Sequence, residues 1–125
     1  MTKILIGKIG LDGHDRGAKL LGKYLKECGY EVIYSGIRQT PESLAKIALQ
    51  EDVDVIGISI LSGAHNSLIP KLFKELKHYD LQIPVIVGGI IPLEDVQYLV
   101  SHGVKKVFHN VNSLKDIEEY LHEIR

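Results

Sequence analysis

Cysteine is nearly missing from this chain. Cys28 is the only one in 125 residues, which excludes an intrachain disulfide and any cysteine-rich metal site. It stands one residue before Gly29, in phase with an apolar helix face, so it reads as buried packing rather than as a reactive thiol. An excess of charge of one sign is also lacking. Fifteen Lys and Arg face sixteen Asp and Glu, for a formal net charge of −1, and such a chain has no basic footprint for nucleic acid. Long hydrophobic runs are absent too. No stretch approaches the ~18 apolar residues of a membrane span, and Met1-Thr2-Lys3-Ile4-Leu5-Ile6 runs into a short strand rather than the longer apolar region of a signal peptide. The expectation is a cytoplasmic protein with neither membrane nor nucleic-acid partner. At this length one domain, residues 1–125, contains the whole site.

Apolar periodicity is plentiful, and it alternates between two kinds. Runs at 3–8, 30–34, 53–59, 84–87 and 104–108 read as strands covered on both faces. Between them lie helical patterns. Leu21, Tyr24, Leu25 and Cys28 form one face before Gly29, and Leu44, Ile47 and Ala48 form a second behind Thr40 as N-cap and Pro41 at the first helical position. A third helix carries Leu68, Leu72, Phe73 and Leu76; Pro70 belongs in a first turn, which places its start near Asn66 or later. Gly88-Gly89 stops the fourth strand. The fourth helix then opens at Pro92, Glu94 and Asp95, shows Val96, Leu99 and Val100, and closes at Gly103. Ser113 caps a last helix bearing Ile117, Tyr120, Leu121 and Ile124.

Five strands alternating with five helices predict an α/β fold: a single doubly wound five-stranded parallel sheet, flavodoxin- or Rossmann-like, with strand order 2-1-3-4-5. Ligands of such sheets bind beyond the carboxyl ends of the strands, where strands 1 and 3 diverge. The loops that meet there have unusual compositions: Gly10-Leu11-Asp12-Gly13-His14-Asp15-Arg16-Gly17, the Ser59 loop, Gly88-Gly89 and the loop after Phe108.

Two familiar ligands of this fold fail. The turn after strand 1 is neither G-x-G-x-x-G nor a phosphate loop, and strand 2 ends in Ser35-Gly36 without an acid to hold a ribose. A phosphate-accepting receiver would need an aspartate where strand 3 ends in Ser59. That leaves His14. A metal-bound histidine commonly gives its second ring N–H to a carboxylate. Asp12, two residues earlier, is spaced to be that carboxylate, and Lys8 to stand behind it and hold it ionised. No cluster of further ligands suggests a protein-built cage, so a metal here would come in its own macrocycle, with His14 as a single axial ligand. The alternative reading is that Asp12 caps helix 1 and His14 points to solvent.

Asp12-Gly13-His14-Asp15-Arg16-Gly17 resembles the D-x-H-x-x-G signature of cobalamin-binding domains that hold the cofactor with its benzimidazole tail displaced and a histidine on cobalt. Ser59-Ile60-Leu61 resembles the S-x-L of that family and Gly88-Gly89 its G-G. With Gln39-Thr40-Pro41-Glu42 and Gly88-Gly89-Ile90-Ile91-Pro92, the chain looks most like the cobalamin domain of methylmalonyl-CoA mutase and related acyl-CoA mutases, over nearly its whole length. The resemblance implies adenosylcobalamin as cofactor, His14 as axial ligand to cobalt, Asp12 as its hydrogen-bond partner and Lys8 as third member. It places Gly13, Asp15, Arg16 and Gly17 in the cofactor turn, and Arg16 can equally be a solvent residue or a contact to a partner. Ser59 and Leu61 would line the slot for the tail, with Ser59 bonding the benzimidazole nitrogen, and Gly88 and Gly89 would let backbone pass close to it. One departure is His109-Asn110-Val111-Asn112, where the family usually has a glycine-rich loop.

The implied protein is the small subunit of a mutase, inactive alone, whose partner is a large barrel-type subunit that binds acyl-CoA. Alternatives are a corrinoid methyl carrier, disfavoured because no helical bundle precedes strand 1, and a non-catalytic cobalamin carrier or sensor. Surface positions are expected for His78, His102 and His122, while His65 stands in the Ser59 loop.

Overall fold

A computed structural model describes residues 2–8, 16–60, 65–89, 91–108 and 114–124. Five strands, β1 (Lys3–Lys8), β2 (Glu31–Tyr34), β3 (Val55–Ile60), β4 (Val85–Gly89) and β5 (Lys106–Phe108), alternate with five helices. These are α1 (Arg16–Glu27), α2 (Pro41–Glu51), α3 (His65–His78), α4 (Leu93–Ser101) and α5 (Leu114–Glu123). All strand pairs are parallel and the order is β2-β1-β3-β4-β5, as the alternation predicts. Among the described residues no helix is long and apolar enough to cross a membrane.

The strands read as continuous apolar runs because both faces are covered. Leu5, Ile56, Ile58, Ile60, Val85 and Val87 pack with Leu44, Leu72 and Leu99 from α2, α3 and α4. The alternate residues Ile4, Ile6, Val55, Ile86 and Phe108 face α1 and α5 through Ala18, Leu25 and Leu121. The sheet therefore separates two unequal layers, three helices on one side and two on the other.

Four helices return to the sheet by one device. The N–H two residues past the last helical turn bonds five residues back: Tyr30 to Leu25 O, Val53 to Ala48 O, Leu81 to Leu76 O and Val104 to Leu99 O, at 2.9 to 3.3 Å. The residue before each is left-handed, Gly29, Asp52, Asp80 and Gly103. This is the Schellman geometry, in which an apolar residue after the turn packs back on the helix. It corrects the expectation for Cys28, which is exposed. Cys28 is only the hinge of the motif, and Tyr30, 6% exposed, takes the core position.

Other expectations shift for local reasons. Gly88-Gly89 is not a turn but the end of β4, paired with Ser59 and Ile60. Val100 and Ile124 are exposed, since Leu99 and Leu121 alone of α4 and α5 are fully buried. β3 begins at Val55 and β5 at Lys106 because Val53 and Val104 belong to the returns. Thr40 is the N-cap of α2 as expected, and Ser43 completes a reciprocal capping box: Ser43 N–H donates to Thr40 Oγ1 at 3.0 Å and Thr40 N–H to Ser43 Oγ at 2.9 Å.

Pro70 lies inside α3, beyond its first turn. A proline there has no N–H for the carbonyl four residues back, which is Asn66 O. Tyr98 of α4 supplies the missing donor, its hydroxyl bonding Asn66 O at 3.0 Å. Asn66 Nδ2 in turn donates to Asp95 Oδ1 at 2.9 Å, so the helix irregularity is used to tie α3 to α4.

Candidate functional site

The strand registers bring Lys8, Ser59, Gly88 and Phe108 into one row across the carboxyl end of the sheet. The row behind it, two residues back along each strand, is Ile6, Gly57, Ile86 and Lys106. Period-2 alternation turns both rows towards α1 and α5. In the middle of that face three of the positions are Gly57, Ser59 and Gly88, so the sheet surface is a furrow between Ile6 on one side and Ile86 and Phe108 on the other. Gly17 and Leu21 of α1 and Leu114 and Ile117 of α5 cover it. The result is a cavity of about 240 Å³ between sheet and helices.

Among the described residues its lining is apolar apart from Ser59, whose hydroxyl has no hydrogen-bond partner among them. A whole organic ligand of ordinary size occupies ~300–1,000 Å³. The furrow is therefore suited to one flat apolar part of a larger molecule, with one polar atom reaching Ser59.

The three strand glycines at the furrow have different causes. Gly89 is demanded by the protein: its φ is +132°, and a Cβ would lie 1.8 Å from Ile60 O. The sequence motif alone suggests a tail passing nearby, but the neighbouring strand already forbids a side chain here. Gly57 and Gly88 are under no such constraint. A Cβ on Gly57 would meet Ile86 Cγ1 at 3.7 Å, and one on Gly88 would meet Phe108 Cβ at 3.8 Å, both ordinary contacts. Their missing side chains leave space that the described residues do not fill.

Lys8 ends β1 beside this furrow and is fully buried. Its Nζ donates to Ser59 O at 3.1 Å. The backbone on either side is braced by the loop after β2: Lys8 N–H donates to Ser35 Oγ at 3.2 Å, and Gln39 N–H to Lys8 O at 3.0 Å. Gln39 is fixed in turn by its Nε2 on Ser35 O at 2.8 Å and by Ser43 Oγ on its Oε1 at 2.8 Å. The chain thus enters the segment 9–15 from a rigid point.

Of the residues singled out in the sequence, the structure brings together Ser59, Gly88, Gly89 and Gly17 around one cavity, with Lys8 joined to Ser59. Arg16 is the first residue of α1 and His65 the first of α3. Asp12, Gly13, His14, Asp15 and Leu61 lie outside the described residues, as do 109–112 and the Ser113 cap. His78, His102 and His122 are exposed, as expected. Sequence reasoning missed Gly57 and Phe108. Gly57 had a signal: a glycine inside the strand pattern Val55-Ile56-Gly57-Ile58-Ser59, on the same face as Ser59, marks a place where something comes close. Phe108 had none, because only the β4–β5 register puts it beside Gly88.

The model of the B12 binding domain matches residues 2–118. The small subunit of 2-hydroxyisobutanoyl-CoA mutase from Aquincola tertiaricarbonis is 45% identical over 106 residues, 84% of this chain and 78% of that one. Methylmalonyl-CoA mutase from Rhizobium meliloti is 44% identical over 107 residues, and this chain spans only 15% of its length. A cobalamin-binding protein from Desulfitobacterium hafniense has the same fold, with a TM-score of 0.81 at 19% identity over 97% of this chain and 58% of that one. The chain belongs to the B12-binding domain family, and small subunits of acyl-CoA mutases are among its similar relatives.

Proposed function

We propose that residues 1–125 form the cobalamin-binding domain of a cytoplasmic acyl-CoA mutase: the small subunit, which holds adenosylcobalamin and presents it to a large barrel-type subunit that binds the acyl-CoA. One observation carries the reading beyond kinship. The furrow over Gly57 and Gly88, apolar with one available hydroxyl among the described residues, fits the displaced benzimidazole tail of cobalamin. When bound, the cofactor supplies radical chemistry for rearranging a carbon skeleton.

This chain's residues bind and orient. Ser59 offers its hydroxyl to the tail's free ring nitrogen, and the glycines leave room for the ring. His14 would hold the cobalt through one ring nitrogen. Asp12 would accept its second ring N–H, which would fix the tautomer and raise the basicity of the ligating nitrogen. Lys8, whose Nζ donates to Ser59 O, would link this relay to the tail slot. Gly13, Asp15, Arg16 and Gly17 would add further contacts to the cofactor. The 45% identity to a mutase small subunit favours this reading over a methyl carrier or a sensor.

Titration of the purified chain with hydroxocobalamin or adenosylcobalamin, followed in the visible spectrum, tests it. Paramagnetic resonance of the cob(II)alamin form should show a protein nitrogen in place of benzimidazole, and His14→Ala should lose that signal while keeping its fold by circular dichroism. An unchanged axial signature in His14→Ala would refute the assignment.

A further inference from the structure

We propose that Gly57 sets the depth of the furrow and makes this chain select its corrinoid by the tail: small, apolar, benzimidazole-type bases are accepted, and bulkier or more polar ones are refused. The inference rests on the cobalamin reading above and adds the residue and the selectivity.

Gly57 is buried in the middle of β3, in the row behind Ser59, with Ile6 and Ile86 as its cross-strand neighbours. Ser59 and Gly88 lie nearer the carboxyl edge, so a flat group entering from that edge passes them first and ends over Gly57. The nearest atoms to a Cβ at Gly57 are Ile86 Cγ1 at 3.7 Å, Leu5 O at 3.9 Å and Ile86 Cδ1 at 4.0 Å. The protein therefore tolerates a methyl there. What the methyl takes away is the innermost part of the cavity.

Polarity works in the same direction. Beyond Ser59 the walls supplied by the described residues are Ile6, Ile86, Phe108, Leu21 and Ile117. A base with one hydrogen-bonding edge can satisfy it at Ser59. A purine-type base with additional ring nitrogens and an exocyclic amine would bury polar atoms without partners, each weakening binding by about tenfold.

The test is spectral titration of the wild-type chain and Gly57→Ala with three corrinoids: cobalamin, its analogue with an unmethylated benzimidazole tail, and tail-less cobinamide. The expected result is that Gly57→Ala weakens cobalamin about tenfold or more, by overpacking, weakens the unmethylated analogue less, and leaves cobinamide unchanged. Thermal unfolding confirms that the variant folds. Equal changes for cobalamin and cobinamide, or none for either, would overturn the proposal. If Gly57→Ala did not fold, the wild type decides: an adenine-tailed corrinoid bound as tightly as cobalamin would overturn it. Failure of the wild type to bind any of the corrinoids would instead sink the cobalamin reading, and this inference with it.

Discussion

Glycine marks this site in the sequence, but its neighbours decide what each glycine does. Gly89 stands at φ +132° against Ile60 O, so Gly89→Ala is expected to destabilise the chain by about 3 kcal/mol or more, a large part of the ~5–15 kcal/mol that holds a domain together. Urea denaturation of the free protein measures it; a loss under ~1 kcal/mol would show that β3 and β4 can separate there at little cost. Gly57 should behave in the opposite way, with its substitution felt in binding and not in folding. The G-G pair was legible in the sequence as a motif, whereas the distinction between a glycine required by backbone and one that keeps space open was not. It depends on the β3–β4 register, and a register is set by packing between distant segments.

At the level of elements, local chemistry made most of the fold legible. Thr40-Pro41 announces α2, and β1 covers the six residues expected of it. What sequence reasoning misplaced were the points where one element borrows from another. Pro70 signals a first turn when α3 is considered alone; in the fold its missing N–H is offset by Tyr98 of α4. Tyr98→Phe should therefore cost about 0.5–1.5 kcal/mol. In a Pro70→Ala background the restored N–H can bond Asn66 O, and the same change should cost less. A double-mutant cycle by chemical denaturation reads the coupling, and additive effects would show that the Tyr98 hydroxyl does not substitute for the proline's missing donor. Cys28 is a second case. The i, i+3, i+4, i+7 spacing points it inward, but the Schellman return hands the core position to Tyr30.

Across the whole molecule the two faces of the sheet are packed differently. The α2–α4 side holds a continuous core, while the α1–α5 side encloses the furrow. Cobalamin at a hundred times its Kd should stabilise the chain by ~2.7 kcal/mol, seen as a rise in Tm of roughly 5–12 °C for a domain of this size. Amide exchange should slow chiefly in α1, α5 and the carboxyl ends of β3 and β4. Protection confined to α2 and α3 would place the ligand on the wrong side of the sheet. Phe108, on the furrow wall, packs edge-to-face on Tyr120 at 5.7 Å, and Tyr30 donates to Glu118 Oε2 at 3.0 Å, so α5 is fastened by contacts within the chain. The roof is thus fixed without help from whatever fills the space beneath it. The furrow is then a portion of hydrophobic core that the described residues leave open, because two positions in the middle of the sheet carry no side chain. On the function proposed above, its completing piece would come from another biosynthesis altogether, and the fully packed form of this fold would be a compound of polypeptide and ligand.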